Sequence, residues 1–226
     1  MNRLEELGRR FGVPPAGLAS LAAVLELQAV DPAASTTIRD VDAALDRHVA
    51  DSLVAVDLPA VRAARTIADL GAGAGWPGLA LAAALPDARV ALVESAVRHC
   101  RYLARAVEVG GFENVEVVHA RVEEWAASVD VVTARALASL PVLCEYAAPL
   151  LAHGGVLVAW KGTVPAEEAA SGAAAAVVVG LEPVEVVHVQ PFPAAEGRTL
   201  HVFRKIAPTP DRFPRRPGMA VKRPLA

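Results

Sequence analysis

The sequence holds only two cysteines, Cys100 and Cys144, in neither a C-x-x-C pair nor a spaced framework, which excludes a disulfide-built secreted domain. Long hydrophobic runs are missing too. The longest uncharged stretch, Leu70–Pro86, is broken by Gly and Pro and falls short of the roughly 20 apolar residues a membrane span needs. The opening "MNRLEELGRRFG" carries Glu5 and Glu6 among its arginines and has no apolar signal core. No internal repeats are apparent. These absences lead to the expectation of a soluble, cytoplasmic protein with no membrane partner. Lysine is also scarce, three against 19 arginines, which together with the alanine richness reads as genomic composition and carries no functional weight.

What is present is ample core. With 226 residues, 54% of them apolar, the chain can form one α/β domain with a small appendage. The net charge of −3 hides an asymmetry. Residues 1–197 hold 14 Arg/Lys against 24 Asp/Glu, a net of −10, whereas residues 198–226 hold 8 against 1, a net of +7. A basic end on an acidic body fits either a polyanionic partner or a solvated tail.

The pattern along the chain changes period once. "NRLEELGRRFG", "PPAGLASLAAVLELQAV" and "VDAALDRHVADSLVAV" (41–56) space their leucines and alanines at three and four, and Asp40 is placed as N-cap of the third helix. Five short β-branched runs follow at 66–70, 89–94, 115–120, 129–134 and 155–161, with helical segments at 77–85, 95–109 and 139–151 among them. A further helix (165–178) and two closely connected strands, 184–189 and 198–206, complete the pattern. It predicts an α/β fold: a doubly wound, mostly parallel seven-stranded sheet with an antiparallel pair at one edge. Residues 1–60 form an N-terminal helical extension, 61–206 the α/β domain, and 207–226 a basic Pro-rich tail with too much Pro and charge for a core. The sheet accounts for the largest apolar faces, so a monomer is expected.

Residues 69–78, "DLGAGAGWPG", follow the first strand and set three glycines at alternate positions. Gly73, Gly75 and Gly78 satisfy G-x-G-x-x-G, and Glu94 ends the next strand about 20 residues on. The match alone is weak, because any ligand gripped at the first βα turn needs those glycines. A P-loop is excluded by the missing G-K-[ST]. Asp69 discriminates between the remaining ligands. A carboxylate at the mouth of that turn would repel pyrophosphate and attract the sulfonium and ammonium of S-adenosylmethionine, while Glu94 suits the ribose hydroxyls of either. The expected cofactor is therefore S-adenosylmethionine, and a nicotinamide dehydrogenase is disfavoured.

"RHVADSL" (47–53), "DLGAGAGWPGLALA" (69–82), "ARVEEW" (120–125), "TARALASL" (133–140), "WKG" (160–162) and "FPRRPGMAVKRPL" are specific in combination. Through them nearly the whole chain resembles the bacterial 16S ribosomal RNA guanine-N7 methyltransferases, the glucose-inhibited division protein B family. The resemblance implies a Rossmann-like methyltransferase fold acting on the small ribosomal subunit. It also implies that Gly71, Gly73, Gly75 and Trp76 hold the methionine part of the cofactor. Glu94 would take the ribose, Val122 and Glu123 flank the adenine, and Arg135 face both cofactor and target base. Trp76 departs from the smaller apolar residue often found there.

The residues agree with that chemistry. Guanine N7 carries an in-plane lone pair and no proton, so alignment and charge stabilisation matter more than a general base. The fourth strand ends in "TARA", without the Asn/Asp-Pro-Pro-aromatic motif of amino-group methyltransferases, and neither cysteine follows a proline as cytosine-C5 enzymes require. Arg135 is the candidate catalytic residue, reading guanine O6 while leaving N7 free. Arg47, His48 and Asp51 are RNA-site candidates with local helix pairing as the alternative, and they are too few to bind a metal. Lys161 and the tail residues Arg212, Arg215, Arg216, Lys222 and Arg223 are candidate phosphate contacts. His99, His119, His153, His188 and His201 are expected to be structural, and Trp125 and Trp160 to be core or pocket wall. Two other readings remain open: an adenosylmethionine enzyme with a different substrate, and a non-catalytic RNA-binding ribosome-assembly protein.

Overall fold

In a computed structural model describing residues 3–225, the β-branched runs form seven strands. These are β1 (Thr66–Leu70), β2 (Arg89–Glu94), β3 (Val115–His119), β4 (Val129–Arg135), β5 (Leu151–Lys161), β6 (Leu181–Val189) and β7 (Arg198–Lys205). They make one sheet in the order β3-β2-β1-β4-β5-β7-β6. The first five pair in parallel, and β7 inserts antiparallel between β5 and β6. The expected doubly wound sheet and its antiparallel edge are both present. Two strands begin earlier than their sequence predicts. In β5, Gly154 and Gly155 interrupt the apolar pattern, and in β6, Pro183 reads as a breaker but is tolerated because the strand lies at the sheet edge.

Helices α1 (Arg3–Phe11) and α2 (Pro15–Val30) come first, followed by short turns α3 (Val41–Ala44), α4 (Asp51–Leu53) and α5 (Pro59–Arg62). Then α6 (Gly78–Ala84), α7 (Val97–Gly110), α8 (Leu140–Ala147), α9 (Ala166–Val179) and α10 (Met219–Lys222) complete the set. On one sheet face Leu21 of α2, Leu79 of α6 and Leu103 of α7 share a core with Ile67 and Leu92. On the other, Leu143 of α8 and Ala175 of α9 pack with Leu70, Val132 and Leu157. The N-terminal helices thus lie on the same core as the sheet. The β3–β4 crossover holds only a single tight turn, Val122–Glu124. Among the described residues no helix is long and apolar enough to cross a membrane.

The continuous helix expected over 41–56 is not what forms. Asp40 does cap its start, accepting from Ala43 N at 2.8 Å, but residues Leu45–Ala50 open into a π-turn and Val54–Asp57 tighten into a 3₁₀ turn. In the wide turn the Asp51 N–H donates to Asp46 O, five residues back. The Arg47 carbonyl, which an α-helix would pair with that N–H, accepts from Arg135 Nη1 at 3.1 Å. Apolar spacing does not distinguish the two windings.

The tail also departs from its reading as wholly solvent-borne. Phe213 and Ala220 are buried in the core beneath α8.

Candidate active site

Strand order reverses between β1 and β4, and a ligand crevice is expected outside the carboxyl ends of strands at such a switch. β1 leads there into the glycine turn. Gly71 and Gly73 hold φ of +66° and +55°, a region costly for other residues, and a Cβ on Gly71 would lie 2.6 Å from Leu137 Cδ1. Glu94, at the end of β2, closes the turn. Its Oε2 accepts from Gly73 N at 3.0 Å and its Oε1 from Ala96 N at 2.8 Å. A carboxylate offers about four lone-pair directions, so Glu94 retains acceptor capacity for a diol. The cavity in front of it measures about 290 Å³, with Gly71, Gly73, Glu94, Val122, Glu123 and Tyr146 among its walls. Ser35, from the loop after α2, and His99, whose Nδ1 lies 3.7 Å from Glu94 Oε2, complete one side.

Asp69 does not stand at the mouth of this crevice, where its place in the sequence puts it, but is buried beneath the turn, so its carboxylate does not face a ligand there. Its side chain is 1% exposed, Oδ2 accepts from Gly78 N at 2.9 Å, and Oδ1 accepts from Thr133 Oγ1 at 2.9 Å. The reason is steric. Gly78 presses against the strand so closely that a Cβ there would sit 2.3 Å from Leu92 Cδ2, leaving the carboxylate beneath the turn. Asp69 ties the turn to β1 and β4. Burial pushes its carboxyl up to about 6, against the lowering effects of those two hydrogen bonds and of Arg135.

A raised folded-state value favours the protonated fold, so this contribution is complete below the unfolded value near 4 and is lost as pH rises through 6. The shift corresponds to about 3 kcal/mol. Relative to Asp69→Asn, whose amide keeps the acceptor for Gly78, the native chain should lose stability on that scale between about pH 4 and 7. Urea denaturation of both proteins across that window checks it. Parallel curves would remove the buried carboxylate from the account.

Arg135 ends β4 at the other side of the switch and is held on three sides. Nη1 donates to Asp51 Oδ2 at 2.9 Å and to Arg47 O, while Nη2 donates to His48 Nδ1 at 3.1 Å. Because arginine only donates, His48 Nδ1 is the acceptor, and the ring proton sits on Nε2, 3.1 Å from Thr36 Oγ1. Burial, and then the charge of Arg135, push the imidazole down to about 3. His48 is therefore neutral, with both nitrogens engaged, and unsuited to act as a general base. The structure thus joins Arg47, His48 and Asp51 to Arg135. The next residue, Ala136, is the only non-glycine with positive φ among the described residues, at 56°, and lines the cavity. Such strain clusters where a chain must aim side chains at a site.

Trp76 is not a cavity wall. Its ring stacks on His48, centroids 5.7 Å apart and 6° from parallel, and its Nε1 donates to Gln28 Oε1 at 2.7 Å. Gly75, also outside that wall, sits with its Cα close under Leu79. Trp160 is buried and donates from Nε1 to Asp51 O at 2.7 Å.

A family profile for rRNA small subunit methyltransferase G matches residues 28–194. The chain belongs to the rRNA small subunit methyltransferase G family. It is 41% identical over 196 residues to the ribosomal RNA small subunit methyltransferase G of Rubrobacter xylanophilus, covering 83% of this chain and 75% of that one. With the protein of the same name from Chloroflexus aggregans it shares 42% over 199 residues, 84% and 82% of the two chains. Among solved structures it is similar to Aeropyrum pernix fibrillarin in complex with natively bound S-adenosyl-L-methionine. The TM-score is 0.55 at 20% identity, over 68% of this chain and 72% of that one. Methanococcus jannaschii fibrillarin, a pre-rRNA processing protein, gives 0.52 at 19% identity, over 63% and 67%. At that identity these two likenesses speak for the fold alone.

Within this family member, the positions expected to hold a cofactor divide into two groups. Gly71, Gly73, Glu94, Val122 and Glu123 line one cavity. Asp69, Gly75, Trp76 and Arg135 are not among its walls, although Ala136, next to Arg135, is. Two expected phosphate contacts are engaged inside the protein. Lys161 Nζ donates to Ala138 O at 2.9 Å and pairs with Glu168 at 2.7 Å, and Arg215 pairs with the buried Glu145. Arg216, Lys222 and Arg223 lie exposed on the tail. The sequence reading leaves Ser35, Leu137 and Tyr146 unassigned, as well as Gln28 and Thr36 in the network behind Arg135, and takes as structural His99, which lines the cavity. His99 carried a signal, since it falls one turn into the helix after Glu94. Among the described residues no three metal-ligating side chains come together.

Proposed function

We propose that this protein transfers a methyl group to N7 of a guanosine in 16S ribosomal RNA of the small subunit, using S-adenosylmethionine. It would act as a cytoplasmic monomer. The observation that carries the reading is the pairing of two features across one strand switch. A glycine-lined cavity carries the Glu94 carboxylate, and beside it stands an arginine fixed by Asp51 and a neutral His48. The cavity suits the cofactor. Glu94 would accept from the ribose hydroxyls, the Gly71–Gly73 backbone leaves room for the methionine part, and Val122, Glu123 and Tyr146 would wall the adenine.

Bound there, S-adenosylmethionine supplies a methyl on a sulfonium, electrophilic without further activation. Guanine N7 has its lone pair ready and no proton to lose, which fits a site in which the histidine held against Arg135 is neutral and engaged at both nitrogens. Arg135 holds two N–H groups beyond those bound to Asp51, Arg47 and His48, enough to donate to O6. From there it would orient the base and leave N7 free to meet the methyl group. Asp51 is 1% exposed and holds that guanidinium in one orientation.

Incubating the protein with methyl-labelled cofactor and small-subunit particles, then digesting the RNA to nucleosides, tests the reading. Label in 7-methylguanosine is expected. Label in any other nucleoside overturns the N7 assignment, and labelled protein or small molecule overturns RNA as substrate. The exposed tail charges give a second expectation. RNA affinity should fall steeply with salt, and Arg216→Ala should lower the slope of log K against log salt by about 0.7–0.9 if that residue meets one phosphate. An unchanged slope removes Arg216 from the interface.

A further inference from the structure

We propose that the C-terminal segment Phe213–Leu225 is a strap that holds the adenine-side wall of the cofactor cleft, with Arg215 and Gly218 as positioning residues. The inference rests on the cleft being the adenosylmethionine site, and it gives the tail a task apart from RNA binding. The segment does not trail from the body. Phe213 and Ala220 are buried in the core around α8, and Leu225 packs against it. Arg215 turns inward and meets Glu145 of α8 as a fork, Nε to Oε1 at 2.8 Å and Nη2 to Oε2. The same Nη2 donates to Arg223 O at 2.8 Å, so one guanidinium ties the start of the strap to its end and both to α8. Glu145 is 1% exposed, and a buried carboxylate without its partner is strongly unfavourable, so this anchor is not an incidental surface pair.

Both anchor points border the cleft. Glu145 immediately precedes Tyr146, whose side chain lines the cavity. Gly218 N donates to Glu123 Oε1 at 2.8 Å, and Glu123 lines the same cavity. Glu123 and Tyr146 both line that cavity, so the strap grips two wall residues from behind. The need for such a grip follows from topology. The wall Val122–Glu123 belongs to the one crossover that carries only a single short turn, and the strap supplies support that a crossover helix gives elsewhere. Arg216, exposed beside the anchor, is left to solvent or phosphate.

The test is adenosylmethionine titration calorimetry on full-length variants, with circular dichroism and thermal melting to establish folding. Arg215→Ala should raise the cofactor Kd about tenfold, the loss of one well-placed polar contact, and Arg215→Lys should restore part of it. In methylation assays KM for the cofactor should rise by the same factor while kcat at saturation stays within about twofold, a split that a general loss of stability does not produce. If the orphaned Glu145 prevents Arg215→Ala from folding, Glu145→Gln/Arg215→Ala removes the buried charge and carries the same expected Kd. Arg216→Ala should weaken RNA binding and leave cofactor affinity unchanged. A folded anchor variant with native cofactor Kd overturns the strap, as does an Arg216→Ala that weakens the cofactor equally. The cleft reading is tested separately by Glu94→Ala. If that variant binds adenosylmethionine normally, the cleft assignment fails and the strap with it. If Glu94→Ala loses binding and the anchor variant keeps it, the strap alone fails.

Discussion

Glu94→Ala should weaken adenosylmethionine binding about a hundredfold or more, the largest effect expected of any single side chain around the cavity. Two roles converge on this carboxylate. It accepts from Gly73 N and Ala96 N, which fixes the glycine turn against the start of α7. On the proposed reading it would also accept from both ribose hydroxyls, and hydrogen bonds to a charged acceptor contribute about 1.5–3 kcal/mol each. Glu94→Gln should fall in between, since the amide keeps one acceptor but turns a donor toward Gly73 N or Ala96 N. Calorimetry at fixed pH measures both. Glu94→Ala binding within threefold of the native chain would detach Glu94 from the cofactor.

Arg135→Ala should lower kcat/KM for RNA methylation by about 10²-fold, the cost of misaligning the base with the methyl group. Arg135→Lys should recover little, because the fork that spans Asp51, Arg47 and His48 needs a planar guanidinium. Removing Arg135 strands the Asp51 carboxylate, whose Oδ1 already lacks a hydrogen-bond partner, with Arg198 Nε 3.6 Å away. A stability loss of about 3–5 kcal/mol is therefore expected with the activity loss. Asp51→Asn/Arg135→Ala separates the two, regaining stability without regaining activity. Because His48 is held near 3, kcat should show no inflection from it between about pH 5 and 8. Single-turnover assays on variants that melt normally provide the measurement. Near-native kcat/KM in Arg135→Ala would reduce Arg135 to a structural tie.

How legible the fold was depends on how local each signal is. β1, β2 and the glycine turn were read from consecutive residues, since β-branched runs and alternate glycines state their conformation where they stand. The antiparallel edge followed from two strands with no helix between them. The π-turn at Leu45–Ala50 was not legible, because the apolar residues it buries keep spacing that an α-helix also satisfies. Asp69 shows a second limit. Sequence placed its charge correctly at the end of β1 but not on which side of the turn it lies. That depends on how closely Gly78 approaches β2, a packing matter. The tail shows a third. Its proline and charge averaged to a solvated segment, while a single pair, Arg215 with Glu145 some 70 residues away, reverses that for the whole stretch. Likewise nothing local joins Arg135 to Asp51, 84 residues apart, until β4 and the π-turn meet at the strand switch.

On the proposed reading the glycine turn, Glu94 and the Val122–Tyr146 wall together form the cofactor site, next to Arg135. A crystal of the full chain grown with S-adenosylhomocysteine addresses it most directly. The account predicts both ribose hydroxyls on the Glu94 carboxylate, the adenine beside Val122 and Tyr146, and the sulfur directed toward Arg135. Ligand density in another cavity, or an adenosine turned so that Glu94 meets no hydroxyl, would contradict it.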